Sequence, residues 1–320
     1  MSKRDVVPGR GLYAAAAALA ASAVINRIAS ARAERRNPPA GRILDVDGVA
    51  VHVLERGQGD PVVLLHGSGS LIQDFMTSGL VDRLAASRRV IVFDRPGYGY
   101  TERPRGTVWT PERQAALLVA ACAQMGVERP VVLGHSWGAL VAVAWALSHP
   151  DRLSGLVLGS GYYYPTARLD ALPTALIGMP VVGDLLAHTI APLQTLLTGP
   201  AGNRMIFSPA RPTRTFLDEM PFGLMLRPQQ LRATGADSGQ MPVVAARLAP
   251  RYSELTLPVT ILWGEGDKLV GQTDQSARLL RELPQANGSE IASGGHMIHH
   301  VRPDIVANAV LAPGSPASTD

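Results

Sequence analysis

The sequence VVLGHSWGALVAVAWAL, residues 131–147, contains the pattern Gly134-x-Ser136-x-Gly138 between two segments of different character. The apolar residues before the pattern favour a short buried strand, and the alanine- and leucine-rich residues after it favour a helix. A serine on such a sharp turn has its hydroxyl exposed above the sheet edge, and the two glycines avoid clashes with strand and helix. The first N–H groups of the helix favour an oxyanion. We therefore predict that Ser136 is a nucleophile, although the pattern alone also fits a turn of small residues that only allows close packing.

The composition is that of a globular protein with a distinct N-terminal segment. The chain has 320 residues, 46% of them hydrophobic and 18% charged, which is enough for one large core or a core domain with an insertion. Its single cysteine, Cys122, excludes an internal disulfide and lies in an alanine-rich helical segment, where we expect it to be buried. The net charge is +4, but residues 1–40 hold seven basic residues against two acidic ones. The rest of the chain shows no basic cluster, so we predict no nucleic-acid partner.

The N-terminal segment, residues 1–40, contains an uncharged, alanine-rich run at residues 11–25 with basic residues on both sides. This run is shorter than the about 20 residues that span a bilayer, and its length is typical of a signal peptide. Ala31-x-Ala33 fits a cleavage site, whereas the basic residues after the run argue against cleavage. We favour membrane association through residues 11–25 as an uncleaved anchor or surface-lying helix. The alternatives are a cleaved signal peptide of a secreted or periplasmic protein, and a helix packed on the protein's own body.

Beyond Pro38 and Pro39, apolar strands alternate with helices. Asp47-Gly48 between two alternating runs predicts a hairpin over residues 43–56. Further strands are predicted at residues 61–65, 89–93, 131–133, 153–158, 258–263 and near 289–292, and helices at 72–85, 111–126, 272–283 and after His296 to about 311. We predict an α/β protein with a mostly parallel, eight-stranded sheet and helices on both faces. In such sheets, ligands bind at the carboxyl ends of the strands.

The alternation stops between residues 161 and 247, where prolines recur and short helical pieces carry Leu, Met and Phe. We interpret these residues as an inserted helical lid. The core then consists of residues 41–160 and 248–312, and the composition of residues 313–320 is typical of a disordered tail.

Five motifs follow one another at the predicted strand ends: His66-Gly67, Asp94-Arg95-Pro96-Gly97-Tyr98-Gly99, Gly134-His135-Ser136-Trp137-Gly138, Gly264-x-x-Asp267 and Gly295-His296-Met297. In this order and spacing, residues 41–311 resemble the α/β-hydrolase superfamily, in particular its lidded, esterase-like branch with a serine nucleophile. The resemblance implies the α/β-hydrolase fold and the chain order Ser, Asp, His for the catalytic residues. It does not define a substrate.

The resemblance also implies a role for each matching residue. Ser136 is the expected nucleophile, and His296 is the expected general base that takes the hydroxyl proton and returns it to the leaving group. Asp267 is expected to fix the imidazole tautomer and to stabilise the imidazolium. The backbone N–H groups of Ser68 and Trp137 are expected to form the oxyanion hole, where each such donor contributes about 3–4 kcal/mol.

Other histidines and acids compete for these roles. His135 is adjacent to the nucleophile in sequence, but the turn separates neighbouring side chains, and His66 is expected to shape the oxyanion loop. Asp94 is expected to brace its own turn. Weaker competitors for the acid are Glu265 and Asp274, and the histidines expected on the surface or in the lid are His52, His149 and His188. The spacing of histidines and acids indicates no metal site, so we predict neither a metal nor a cofactor.

We predict a serine hydrolase that cleaves a small, hydrophobic ester through an acyl-enzyme, because the lid is apolar. A carbon–carbon bond hydrolase or a perhydrolase of the same fold is the alternative, although Ser68-Gly69-Ser70 departs from the Gly-Pro-Gly-type sequence usual in the carbon–carbon hydrolases. Haloalkane dehalogenases and epoxide hydrolases are disfavoured because they need aspartate at the position of Ser136. A catalytically inactive, membrane-anchored binding protein is the alternative from another class. The sequence does not define the oligomeric state.

Overall fold

An eight-stranded sheet forms the centre of the molecule in a computed structural model that describes residues 10–167 and 171–315. The strands are β1 (Arg42–Val46), β2 (Val49–Arg56), β3 (Pro61–Leu65), β4 (Arg89–Phe93), β5 (Val131–His135), β6 (Gly155–Gly159), β7 (Val259–Gly264) and β8 (Ala286–Ile291). Their order in the sheet is β1-β2-β4-β3-β5-β6-β7-β8. The β1–β2 and β2–β4 pairs are antiparallel and all other neighbours are parallel, which confirms the predicted mostly parallel sheet.

Fourteen α-helices connect and flank the strands within the described residues. They are α1 (Arg10–Arg36), α2 (Gln73–Thr77), α3 (Leu80–Ala85), α4 (Pro111–Gln124), α5 (Trp137–Ser148), α6 (Leu172–Ile177), α7 (Val182–His188), α8 (Ala191–Phe207), α9 (Arg214–Glu219), α10 (Phe222–Met225), α11 (Pro228–Leu248), α12 (Ser276–Glu282), α13 (Ile298–Val301) and α14 (Pro303–Leu311). The start of α4 is as predicted: Pro111 is its first residue, and the Thr110 side chain accepts a hydrogen bond from the Arg113 N–H.

Both faces of the sheet are covered, because alternate residues of each strand enter different cores. Val63 and Leu65 of β3 pack with residues of α4 and α5. Val62 and Leu64, from the same strand, pack with α3 and α14 on the other face. The continuous apolar runs of the central strands follow from burial on two sides.

Two predicted helices are interrupted in the structure. The helix predicted over residues 72–85 divides into α2 and α3 at Gly79, whose φ of +75° lies in the left-handed region and ends a helical turn. The last predicted helix divides into α13 and α14 at Arg302, because the residue before a proline is excluded from helical geometry. Of the predicted tail, residues 316–320 lie outside the described part of the chain.

Between β6 and β7, helices α6 to α11 replace the strand–helix alternation, and we call residues 171–248 the insert. The insert occupies nearly the same range as the segment predicted to be a lid. Its longest helix, α11, has 21 residues and packs against both α6 and α5. The insert therefore contacts the core domain as well as its own helices.

Helix α1 is longer than the apolar run that the sequence shows. Its 27 residues form one continuous helix, about 40 Å long at 1.5 Å per residue. Residues 11–36 form a helix long and apolar enough to cross a membrane, with a mean hydropathy of 1.5 over an 18-residue window, and a signal sequence has the same properties. The end of α1 contacts the insert, since Ala33 is buried and Glu34 forms an ion pair with Arg227 at 3.0 Å.

Candidate active site

Ser136 lies at the turn between β5 and α5 in a strained conformation, with φ 54° and ψ −121°. A positive φ is unfavourable for a residue with a side chain, and such strained residues cluster at active sites. A Cβ on Gly134 would clash with the backbone of Gly138, and a Cβ on Gly138 would clash with the backbone of Leu65. The glycines thus allow the close approach that the sequence pattern predicts.

Asp267 and His296 are brought together from the ends of two neighbouring strands. His296 Nδ1 lies 2.8 Å from Asp267 Oδ2, and the histidine is only 3% exposed. The Asp267 carboxylate also accepts hydrogen bonds from the Leu269 and Val270 N–H groups and from the Gln272 amide. A carboxylate is only an acceptor when it is ionised, so Nδ1 of His296 carries a proton and Nε2 is the nitrogen free to act as a base.

The backbone N–H and carbonyl groups of His296 both have hydrogen-bond partners. The His296 N–H donates to the carbonyl of Ile206 in α8 at 2.8 Å, and the His296 carbonyl lies 2.9 Å from Nε2 of the His135 ring. The Ser136 N–H donates to the carbonyl of Gly159. The described residues show no hydrogen bond between the Ser136 hydroxyl and the His296 ring; in free enzymes this bond is often long and shortens in the substrate complex.

The loop after β3 lies directly beside Ser136. A Cβ on Gly67 would lie 3.0 Å from Cβ and 3.5 Å from Oγ of Ser136. The buried Arg95 guanidinium donates to the carbonyls of His66 and Gly67 at 2.8 and 3.0 Å. Because C=O and N–H point in opposite directions across a trans peptide, the bond to the Gly67 carbonyl directs the Ser68 N–H away from Arg95.

Helix α11 supports this loop through Asp237, which is fully buried. Its carboxylate forms an ion pair with Arg95 at 2.8 Å and accepts a hydrogen bond from the Tyr98 hydroxyl at 2.9 Å. The Tyr98 hydroxyl lies 3.2 Å from Oγ of Ser68. Burial, with the nearby Asp237 charge, raises the pKa of Tyr98 to about 12, so the phenol stays protonated and can donate. The insert thus holds the loop that contains Ser68.

Asp94 braces its turn, as predicted, and has a partner that the sequence did not indicate. It accepts hydrogen bonds from the Ile72 and Tyr100 N–H groups, and its Oδ2 lies 2.6 Å from Nδ1 of His52. His52 is fully buried, so the prediction that it lies on the surface or in the lid was wrong. The reason is that β2 is flanked on both sides by other strands and covered by Tyr100.

A second buried polar cluster lies behind His296. Asp74 Oδ1 lies 2.8 Å from His300 Nε2 and 3.2 Å from His299 Nε2. Asp74, His135 and His299 have potential ligand atoms within 4.8 Å of one another, a grouping that the sequence spacing did not indicate. Burial alone would raise the pKa of Asp74, but the two histidines beside it hold that pKa well below the ordinary value. Burial lowers the pKa of His299 and of His135, which favours neutral imidazoles around one carboxylate. The absence of a metal stays a prediction.

A cavity of about 910 Å³ lies elsewhere, between the 102–109 loop and helices α6 and α11. Its lining includes Arg103, Trp109, Met179 and Arg232 but none of the residues of the Ser–His–Asp grouping. The volume therefore does not identify the candidate site; the side-chain geometry at the strand ends does.

Comparison with known proteins defines the class. Residues 60–303 match the α/β-hydrolase fold family, and the chain therefore belongs to that family of hydrolases. Haloalkane dehalogenase 2 of Mycobacterium bovis is 25% identical over 283 residues, which cover 86% of this chain and 94% of the relative. The 2-hydroxymuconate semialdehyde hydrolase of Pseudomonas putida is 33% identical over 162 residues, 49% of this chain and 58% of the relative. The solved structure of a bacterial membrane phospholipase A shares the fold with a TM-score of 0.65 at 20% identity, over 94% of each chain.

Proposed function

We propose that the chain is a serine hydrolase that cleaves a small hydrophobic ester through an acyl-enzyme. The observation that carries the proposal is the buried Asp267–His296 pair at the strand ends beside Ser136, which is itself held at a positive φ. A serine hydroxyl is a weak nucleophile until a base accepts its proton. Nε2 of His296, left free by the bond of Nδ1 to Asp267, is the group available for that step.

The reaction then proceeds in two halves. Ser136 Oγ attacks the ester carbonyl carbon while its proton moves to His296, and the protonated histidine returns it to the leaving alcohol as the carbon–oxygen bond breaks. In the second half, His296 takes a proton from water, the hydroxide attacks the acyl-enzyme, and Ser136 regains its proton. Asp267 stabilises the imidazolium in both halves.

The negative charge on the carbonyl oxygen would be stabilised by the N–H groups of Ser68 and Trp137. Trp137 is the first residue of α5, so its N–H has no partner within the helix and points out of the helix start. The bonds from Arg95 to the carbonyls of His66 and Gly67 support the fixed orientation of the Ser68 peptide. Donors fixed before the reaction cost no reorganisation when the charge develops.

A hydrophobic substrate is supported by the apolar cluster next to the site. Leu71 follows the loop that contains Ser68, Met297 follows the catalytic histidine, and both pack with Phe207, Phe216 and Met220 of the insert. An uncharged acyl or alkyl group is the kind of ligand that such surroundings favour. In this arrangement the insert acts as a lid over the site, as proposed from its sequence.

A carbon–carbon bond hydrolase is the second candidate, because the 33% identical relative from Pseudomonas putida is named as a hydrolase of 2-hydroxymuconate semialdehyde, a compound without an ester bond. It would use the same three residues. A dehalogenase activity is not proposed despite the 25% identical relative, since those enzymes need an aspartate where this chain has Ser136. Kinetics on p-nitrophenyl esters and on a ring-cleavage dienoate, compared by kcat/KM, separate the two candidates.

Exchange of the acid tests the triad. Asp267→Asn removes the charge and allows the wrong histidine tautomer, so we expect ester-hydrolysis kcat to fall about 10⁴-fold. The matched control is Asp274→Asn, an exposed acid seven positions along the chain that should leave kcat within a factor of about two. Equal kcat values for Asp267→Asn and the wild type would refute the assignment of the acid.

We also propose that the protein is membrane-associated through residues 11–25. Carbonate extraction of the native full-length protein should leave it in the membrane fraction, with an intact N-terminus by sequencing. Release by carbonate, or an N-terminus near Glu34, would instead support the secreted or periplasmic alternative.

A further inference from the structure

Exposed apolar side chains are concentrated on two parts of the molecule. They lie on α1 and on the outer surface of α6, α7 and α8, whereas elsewhere in the described residues the large exposed ones are Ile43, Val108, Leu217 and Val243. On α8, Leu193, Leu196 and Leu197 are 56%, 60% and 73% exposed. Their spacing of three and four residues places them on one face of the helix, and soluble proteins rarely expose such contiguous apolar surface.

The same part of the insert is almost free of charge. Between residues 171 and 207 the acidic or basic residues are Asp184, Arg204 and a single histidine, His188. Asp184 is neutralised by ion pairs with Arg105 and Arg232. This face could therefore enter an apolar medium at little cost of charge desolvation. We call the exposed apolar face of α6, α7 and α8 the insert face.

The insert face is joined to α1 by hydrogen bonds. Ser22 Oγ donates to the Thr189 carbonyl at 2.6 Å, and the Asn26 amide donates to the His188 carbonyl at 2.9 Å. These bonds fix α1 at the end of α7, next to Leu185 and Ile190, which are 54% and 51% exposed. Residues 11–18, before this junction, are exposed on all sides of the helix and carry no charge. The apolar surfaces of α1 and the insert therefore meet at one place.

We propose that the insert face docks on the lipid bilayer into which α1 inserts, and that the enzyme takes its ester from that bilayer; the second part rests on the proposed ester hydrolysis. A bilayer is the partner that fits both surfaces, because the uncharged residues 11–18 of α1 are exposed on every side of the helix, and lipid can surround a helix on every side. The basic residues that follow the apolar run, Arg27, Arg32, Arg35 and Arg36, match anionic headgroups at the same interface.

The docked helix also reaches the catalytic residues. Helix α8 carries the three leucines near its start and ends at Phe207, beside Ile206, whose carbonyl accepts the His296 N–H. The ideal Cβ of Gly295 would clash with the carbonyls of Phe207 and Ser208, so the end of α8 lies directly on the histidine loop. The lipid-facing leucines and the contact with the His296 loop therefore lie on one helix, which contains Pro200 between them. The substrate class that follows is an ester with an acyl chain dissolved in the bilayer.

A fluorescent probe on α8 tests the docking. The full-length Leu196→Cys protein would be labelled with an environment-sensitive thiol dye and reconstituted into phosphatidylcholine–phosphatidylglycerol vesicles, with Ile43→Cys as the matched exposed control. Cys122 would not react, because it is buried and burial raises the pKa of its thiol to about 12. We expect acyl-chain nitroxide lipids to quench the Leu196 probe and aqueous iodide to quench the Ile43 probe.

Quenching of both probes by iodide would overturn the docking. Shielding of the Leu196 probe without quenching by lipid nitroxides, increasing with protein concentration, would show a second copy on this face and would also overturn it. If the wild type hydrolysed no ester but the Leu196 probe lay in lipid, the docking would stand and the proposed function would fail. If the wild type hydrolysed soluble esters while the Leu196 probe lay in water, the docking would fail and the proposed function would stand.

Activity tests the link to the site. The variant Leu193→Ser, Leu196→Ser, Leu197→Ser removes apolar area equivalent to several buried methylene groups, so we expect its kcat/KM on a vesicle-dissolved long-chain ester, relative to a water-soluble short-chain ester, to fall about tenfold. The control variant Ile43→Ser, Val243→Ser should keep the wild-type ratio. An unchanged ratio in the leucine variant would overturn delivery of substrate from the bilayer.

Discussion

At the scale of single residues, Gly67 leaves space beside Ser136 because it has no side chain. Gly67 is placed so that a Cβ would contact Cβ of Ser136 at 3.0 Å, tighter than a relaxed contact, and would lie 3.5 Å from Oγ of Ser136. Its φ is not in the left-handed region, so the requirement is for space and not for backbone freedom. The added methyl would fill the space where the reacting carbonyl has to lie.

We therefore expect Gly67→Ala to lower kcat/KM for esters about 10²-fold, because a displacement of about 1 Å at the reacting atoms costs that much. Thermal unfolding should change little. Gly106→Ala is the matched control, since nothing lies within 4 Å of its ideal Cβ. A Gly67→Ala enzyme with wild-type kcat/KM would show that substrate does not approach Ser136 from this side.

The candidate catalytic residues could be selected from the sequence, because each lies in a short local pattern. The strand–turn–helix sequence around Ser136 and the Gly-x-x-Asp267 and Gly-His296 motifs define their own geometry. The partners Arg95–Asp237 and Asp74–His300 could not, since they are 142 and 226 positions apart and depend on how distant elements pack. His52 was placed wrongly for the same reason: its burial depends on neighbouring strands.

At the scale of elements, helix α11 connects the insert to the loop that contains Ser68 through one buried carboxylate. Asp237 compensates the buried guanidinium of Arg95 and also contacts Arg103 at 3.1 Å. A buried pair gains little over an apolar pair, but loss of one partner leaves an uncompensated charge in the interior. Replacing only one residue of this pair should therefore destabilise the contact between the insert and the core.

Asp237→Asn should lower the free energy of unfolding by about 3–5 kcal/mol, the usual cost of an orphaned buried charge. Activity should fall as well, because Arg95 positions the carbonyls of His66 and Gly67. Urea unfolding measures the first effect. Asp218→Asn, which breaks the exposed pair with Arg214, should change stability by less than about 0.5 kcal/mol. Equal stabilities for the two variants would contradict the support of the loop by α11.

The sequence predicts a helix boundary where one local signal marks it, and misses the boundary where a helix-breaking residue lies within an otherwise helical pattern. Thr110 and Pro111 define the start of α4. Gly79 interrupts a segment whose apolar residues otherwise continue the helical pattern, and Pro303 follows a residue that the pattern would include in the helix. In the insert, helix bounds depend on packing against α11 and α5, for which the sequence carries no local pattern.

At the scale of the whole molecule, several histidines are buried in the neutral form. Burial lowers the pKa of His66 to about 4, and it also lowers the pKa of His135 and of His299. In the unfolded chain these side chains bind a proton near pH 6.5. Between about pH 6.5 and 4 the unfolded state therefore binds more protons than the folded state, and stability falls as the pH falls.

We expect the free energy of unfolding to decrease on acidification from pH 7 to pH 5, by at most about 1.4 kcal/mol per pH unit for each such histidine. Urea unfolding at several pH values measures the slope. The His149→Gln variant, which removes a histidine outside the core, should show the same slope as the wild type. A stability that is constant between pH 7 and pH 5 would contradict the burial of neutral histidines.

The whole molecule also combines an α/β-hydrolase core with two apolar surfaces, α1 and the insert face, which meet at Ser22 and Asn26. The fold could be predicted from the alternation of strands and helices around Ser136. The relation between α1 and the insert could not, because it depends on contacts across 162 to 167 positions.

The central claim is that Ser136 is the nucleophile, and covalent labelling tests it most directly. A fluorophosphonate probe forms a stable bond with an activated serine, and mass spectrometry of the digested full-length protein locates the modified residue. We predict a single adduct on Ser136 in the wild type and none in Ser136→Ala. A wild type that is never labelled, or labelling that persists in Ser136→Ala, would contradict the account.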